Sequence, residues 1–385
     1  QWAEFSDSAR RLARLMASSW DAGWNVAALD VKNAFNCVHR KAVHDVVLEV
    51  DSDLAPFIAH ILQPTTMIGE GVTRIVDRGV VQGDPTASLL FAMVIAKVAE
   101  RVRDVCATHG VRVTLADPQH ADRIPQMIAN DEVDVVMGWY ADDGSLAWKS
   151  GAALKVVVNA LKDELACVGL SLSPAKCQLI PGNGVAKADV NAAAVDHGMN
   201  VVDAVKLLGI PIGDIATATQ MVRAFVDDRV ALLEKLWTLD CAFGEVTALR
   251  SAGIAAALHW VFEGVAAGVI TEELLTFVHQ QEHRLIRHFF GEYADRVTDT
   301  QLRIAQLPLT AGGLGVLPMQ RHGVLRDGKF VARTDAERTA WDKANAAAIR
   351  DGFAGDKVAL RRWAALQAYA KTRPLSWIGC THRIN

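Results

Sequence analysis

The sequence predicts an α+β fold, with a unit of strands and two large helices standing ahead of a helical one. Three observations carry this. The short apolar run WNVAALDV (24–31) follows Gly23 and reads as a buried strand, and DEVDVVMGWYADDGSLAW (131–148) reads as strand, acidic turn, strand. Residues 86–105 and 151–169 have helical spacing, the first apolar enough for a core and the second closed by Gly169 just past its end. Beyond about Gly213 the helical period dominates 215–238, 245–267 and 271–291, and it returns at 334–349 and 356–371.

The remaining elements follow in order. Leu12, Leu15, Met16 and Trp20 recur at helical spacing within 4–22, and 41–62 is helical as well. TTMIGEGVTRIVDRG reads as a hairpin turning near its Gly-Glu-Gly. A strand is expected at 170–180, then a Gly/Ala/Asn-rich connection, then a strand at 204–212. The run 251–270 is long enough to span a membrane, but His259 and Glu263 share one helical face in its middle and three glycines interrupt it. A buried helix without membrane contact is the expectation.

With 385 residues, 51% hydrophobic and 22% charged, the chain is globular rather than disordered. A net charge of −4 argues against binding nucleic acid by bulk charge, though it leaves room for a local basic groove. Six cysteines without a C-x-x-C pair form neither a disulfide framework nor a zinc site, and they fit a reducing compartment. The chain begins at Gln1, so it reads as an excerpt of a longer protein.

Asp142 and Asp143 lie side by side in an apolar, aromatic stretch, where ionising both is costly. Asp30 ends the first apolar strand. If a sheet sets these strands together, three carboxylates converge at one lip, and divalent cations would relieve their repulsion. Taken alone, Asp-Asp is better explained by a solvated hairpin turn, until the neighbours are considered.

Those neighbours are LDVKNAFN (29–36), GVVQGDPTASLLF (79–91), YADD (140–143), GLSLSPAKC (169–177) and VKLLGIPIG (205–213), in that order. Together they resemble motifs A to E of reverse transcriptases, especially those of non-LTR retrotransposons. AQLPLTAGGLGV (305–316) resembles a segment found downstream in retrotransposon-like members, so the likeness spans about residues 10–320. Val81 and the run Thr86-Ala87-Ser88 depart from the commoner motif B pattern.

The resemblance implies a right-hand polymerase palm, an antiparallel sheet backed by helices, with partial fingers over 1–214. A helical thumb-like region over 215–300 and a helical C-terminal extension over 301–385 would follow. It assigns Asp30, Asp142 and Asp143 to metal binding and catalysis with two Mg2+ ions, Mn2+ being a substitute. It gives Lys176 the role of proton donor to departing pyrophosphate. Phe35, Gln82, Gly83 and Tyr140 would contact the nucleotide, with Phe35 beneath its sugar where it screens for the 2′-hydroxyl. Leu208, Gly209 and Ile210 would hold the primer terminus. The partners implied are an RNA template, a DNA primer and deoxynucleoside triphosphates, and the setting is intracellular, the nucleus if the source is eukaryotic. A non-catalytic nucleic-acid-binding remnant of a mobile element and an intron-maturase-type polymerase are the alternatives. Only 29 residues precede Asp30, so most of the fingers is expected to be missing and the chain alone to extend primers poorly.

Three other signals carry less. GVLRDGK (323–329) fits a phosphate-loop spacing, but Phe330 stands where Ser or Thr belongs. His279 and His283 lie one helical turn apart and read as helix-surface residues rather than zinc ligands. Cys380 and His382 could begin a zinc element.

Overall fold

The structure is a computed structural model. It describes residues 8–372 except 70, 82–83, 85, 118–120, 237–241, 290, 312 and 354–355. Gln82, Gly83, Cys380 and His382 therefore lie outside the described residues. The chain divides into two compact units after Ala218.

In the first unit, α1 (Ser8–Asp21) leads into β1 (Asn25–Asp30), and the short α2 (Ala34–Cys37) follows. The stretch expected to be one helix over 41–62 is two, α3 (Arg40–Val50) and α4 (Ala55–Ile61). Asp51 ends the first in extended backbone, and its side chain accepts from the Asp53 amide at 3.0 Å; Pro56 then opens the second. β2 (Thr65–Gly69) and β3 (Val72–Val76) form the expected hairpin, and α5 (Ala87–Thr108) is the longest core helix of this unit.

Next come β4 (Val113–Leu115), α6 (Ile124–Ala129), β5 (Val135–Tyr140), β6 (Asp143–Trp148) and α7 (Gly151–Cys167). Gly169, at φ 78°, closes α7 with the Leu170 amide reaching back to the Leu165 carbonyl at 2.9 Å. The strand expected over 170–180 is ordered as ladder only at β7 (Gln178–Ile180). The connection after it holds a helix, α8 (Lys187–His197), before β8 (Asn200–Val201). Only Val190, Ala194 and His197 of α8 are buried, too few to write an apolar stripe. The segment 204–212 is a hairpin of β9 (Ala204–Leu207) and β10 (Ile210–Gly213), and α9 (Ile215–Leu236) crosses the division between the units.

The main sheet runs β4-β5-β6-β1-β7-β8. Its four central strands pair antiparallel, while both edge pairs, β4–β5 and β7–β8, are parallel. One face carries Ala27, Leu29, Val135, Met137, Leu146 and Trp148 into a core shared with α5 and α7. Alternation sends Ala28, Asp30, Asp143, Ser145, Gly138 and Tyr140 to the other face. There α1 covers part of the sheet so closely that a Cβ on Gly138 would sit 2.5 Å from Leu12.

The second unit is built from α10 (Ala242–Ala252), α11 (Ile254–Gly264), α12 (Glu272–Phe289), α13 (Asp299–Ala305) and α14 (Met319–His322). A hairpin follows, β11 (Gly323–Arg326) with β12 (Lys329–Ala332), and then α15 (Asp335–Gly352) and α16 (Lys357–Thr372). The expectation of a wholly helical unit is corrected by this hairpin. Asp327 and Gly328 both take positive φ (49° and 72°), the two-residue turn that Asp-Gly favours. GVLRDGK is accordingly a hairpin with Phe330 buried, and no helix begins at its lysine as a phosphate loop requires. The 251–270 run is broken at Gly253 between α10 and α11. Among the described residues no helix is long and apolar enough to cross a membrane.

Candidate active site

The acidic lip is made where β1 ends beside the β5–β6 turn. Asp30 stands directly opposite Asp143, and Asp143 directly opposite Tyr140, so the three lie in one row across three strands. Asp142 occupies the two-residue turn with Ala141, whose φ of 53° is a conformation that a non-glycine residue adopts at a cost of about 1–2 kcal/mol. Below the row, Ala28, Ser145 and Gly138 present small side chains to the same face.

The backbone of Asp30 explains how near the acids come. Its carbonyl accepts from the Ser173 amide at 2.8 Å, and its amide donates to Cys177 Sγ at 3.4 Å, both on the β7 side. Asp30 and Asp143 therefore face each other as a non-hydrogen-bonded antiparallel pair, the arrangement that brings opposed side chains closer. Partial desolvation of the carboxyl, then the charges of Asp142 and Asp30, push the Asp143 carboxyl above its usual range. Asp143 as a residue remains exposed to solvent, which limits the shift.

Lys176 Nζ lies 3.8 Å from Asp30 Oδ2, with side-chain exposures of 72% and 40%. At that distance it is an open ion pair of small energetic worth, and the ammonium stays available for other contacts. Phe35 is half-buried and stacks on Phe91 of α5, ring centroids 4.6 Å apart, so its ring is held against the core. The Val80 amide donates to the Phe35 carbonyl at 2.8 Å, which ties α2 to the approach to α5. Asp84 starts that helix by accepting from the Thr86 amide and hydroxyl, both at 2.7 Å, and those bonds hold its carboxyl below the usual range.

In the β9–β10 hairpin, Leu208 and Gly209 form the turn at φ 49° and 84°. Ile210 is fully buried, so of the three residues expected at the primer only Leu208 and Gly209 face outward. Cys177 was legible in the sequence only as one of several scattered thiols. Nothing in its spacing marks it as a neighbour of Asp30.

A family model for reverse transcriptase (RNA-dependent DNA polymerase) matches residues 6–212, more than half of the chain. The chain belongs to the reverse transcriptase family. The matched span holds Asp30, Asp142, Asp143, Lys176 and the β9–β10 turn, and it stops before the 305–316 segment. No curated protein matches this reverse transcriptase chain. Among solved structures, a telomerase from Candida albicans in complex with a fragment of telomeric RNA aligns at 8% identity and a TM-score of 0.33. That alignment covers 97% of this chain and 57% of the telomerase chain, so this chain spans little more than half of its neighbour's length.

Reverse transcriptase domains generally use divalent metal ions. Among the described residues no three His, Cys, Asp or Glu side chains are gathered as a ready cluster of ligands. The donor chemistry fits nonetheless: three carboxylates at one lip are hard oxygen ligands, and the upward shift at Asp143, caused first by desolvation, includes repulsion from Asp142 and Asp30 that a cation would relieve.

Proposed function

We propose that this chain carries out RNA-templated DNA synthesis as part of a non-LTR retrotransposon reverse transcriptase. The observation that supports it best is the row of Asp30 and Asp143 at adjoining strand ends, with Asp142 in the turn beside them. On this reading 1–214 is the palm with partial fingers, 215–300 the thumb and 301–385 an extension. The substrates are an RNA template, a DNA primer and deoxynucleoside triphosphates, handled inside the cell.

The reaction is attack of the primer 3′-hydroxyl on the α-phosphate, with pyrophosphate leaving. Asp30, Asp142 and Asp143 would hold the two Mg2+ ions, which supply charge to acidify the hydroxyl and stabilise the leaving group. The protein's own residues orient the reactants. Phe35, braced by Phe91, presents a rigid ring at the sugar, and Tyr140 borders the same face. The Leu208–Gly209 turn steadies the primer end. Lys176 protonates the departing pyrophosphate, a role its exposure beside Asp30 allows.

Single-nucleotide incorporation on primed RNA and primed DNA templates tests this. Magnesium-dependent extension on RNA that is lost in Asp30→Asn supports the polymerase. Nucleic-acid binding without extension, even with manganese and an added upstream segment, would favour the non-catalytic remnant.

A further inference from the structure

We infer that Cys177 is a positioning residue for Asp30, its thiol standing in for a strand hydrogen bond that the sheet does not supply. This rests on the reading above of Asp30 as a catalytic carboxylate. The β1–β7 ladder stops at Ala28 opposite Gln178, two residues short of Asp30. Beyond it the chain on the β7 side curls into a turn, in which the Lys176 amide donates to the Ser173 carbonyl at 2.9 Å. The Cys177 amide is spent in the same turn, on the Ser173 and Pro174 carbonyls at 3.1 Å each. The Ser173 and Pro174 carbonyls are therefore taken up within the turn, and the Ala175 and Cys177 carbonyls accept from Asn200 at 2.6 and 3.1 Å rather than from Asp30.

The side chain fills the gap. Cys177 Sγ accepts the Asp30 amide at 3.4 Å and lies 3.9 Å from the Asp30 carbonyl oxygen, which the Ser173 amide also holds at 2.8 Å. Cys177 is fully buried, so water cannot replace the thiol when it is removed. A thiol is a weak acceptor and donor, and this contact adds little stability. Its consequence is directional: it keeps the last residue of β1 in register with Asp143, so that both carboxylates point from one face. One turn thus grips Asp30 twice by the backbone and once, through Lys176, at the carboxylate. Serine keeps a donor and acceptor at this position, whereas alanine keeps neither.

The test compares wild type, C177A and C177S in the full chain by primer extension and by amide hydrogen exchange resolved at Asp30. The expected result is that C177A lowers kcat about tenfold, as a small misplacement of a reacting group does. Nucleotide KM should stay within about twofold, and C177A should exchange the Asp30 amide faster relative to Ala28. C177S should restore most of both, even where its melting temperature is no higher than that of C177A. A merely structural cysteine would leave kcat and Asp30 exchange unchanged in C177A, or would make both variants fail alike, and either outcome overturns the proposal. A wild-type chain that extends no primer even with manganese and the added upstream segment, but whose Asp30 amide is still deprotected by C177A, would remove the polymerase reading and uphold the thiol's hold on Asp30.

Discussion

At Asp143 crowding has a measurable consequence, because partial desolvation and the charges of Asp142 and Asp30 raise its carboxyl above the usual 3.8. A folded-state value above the unfolded one means that the folded chain binds the proton more tightly. Stability then falls as pH rises from the unfolded value through the folded one. Asp143→Asn should accordingly raise the melting temperature at pH 7 and leave it nearly unchanged at pH 3, while abolishing extension. Thermal unfolding at the two pH values reads this directly. At Lys176 the two effects separate. Its open pair with Asp30 contributes little, so Lys176→Ala should shift stability by less than about 0.5 kcal/mol. On the proton-donor reading the same change should cut the maximal rate by roughly 10²–10⁴ with nucleotide affinity kept. A loss confined to KM would make Lys176 an electrostatic contact instead. Phe35→Ala gives up its stack on Phe91. If the ring screens the sugar, ribonucleotide over deoxynucleotide incorporation should rise about tenfold or more, measured as a ratio of kcat/KM. An unchanged ratio would leave Phe35 as core alone.

Among the elements, the β5–β6 hairpin is held on one side by a glycine. A Cβ on Gly144 would sit 2.7 and 2.8 Å from the Trp139 ring and 3.1 Å from Leu29 Cβ. Trp139 and Leu29 lie on the strands either side of it, directly behind the acidic row. Gly144→Ala must therefore displace the Trp139 ring or shift the strands that carry Asp30 and Asp143. We expect a loss of about 1–3 kcal/mol by chemical denaturation and a fall in extension larger than stability explains. Full activity in the folded variant would show that the acidic row tolerates a shift of the strands behind it. The hairpin was legible in the sequence because alternation and an acidic turn are local. Helix α8 was not, since its few buried residues leave no stripe, and β11–β12 was hidden by the helical periods around it although Asp-Gly marks its turn.

Across the whole molecule, the second unit carries a buried acid that no charge balances among the described residues. Glu282 of α12 accepts from the Met319 amide at 2.8 Å through one oxygen, while the other has no partner there. Burial pushes its carboxyl up to about 8 from 4.5. The folded chain holds this proton where the unfolded chain has lost it, so stability declines as pH rises between about 4.5 and 8. His283 acts oppositely: burial first, then His279 and Arg287, lower it to about 4 from 6.5, and its contribution is lost as pH falls through that window. Glu282→Gln should raise the melting temperature at pH 8.5 and bring it close to wild type at pH 4. Equal melting curves at both pH values would mean that Glu282 gains a cationic partner in the folded protein.

The sequence alone determined the types of most elements and singled out Asp30, Asp142 and Asp143 as candidate ligands, because hydrophobic period and turn residues are written locally. Tertiary structure decided what those acids could do together. Only the strand order that places β1 between β6 and β7 sets Asp30 opposite Asp143, and that pairing joins segments more than a hundred residues apart. The same packing turned Ile210 inward, stacked Phe35 on Phe91 and brought Cys177 behind Asp30. Register between distant strands follows from which face is buried, and no window of sequence contains both faces.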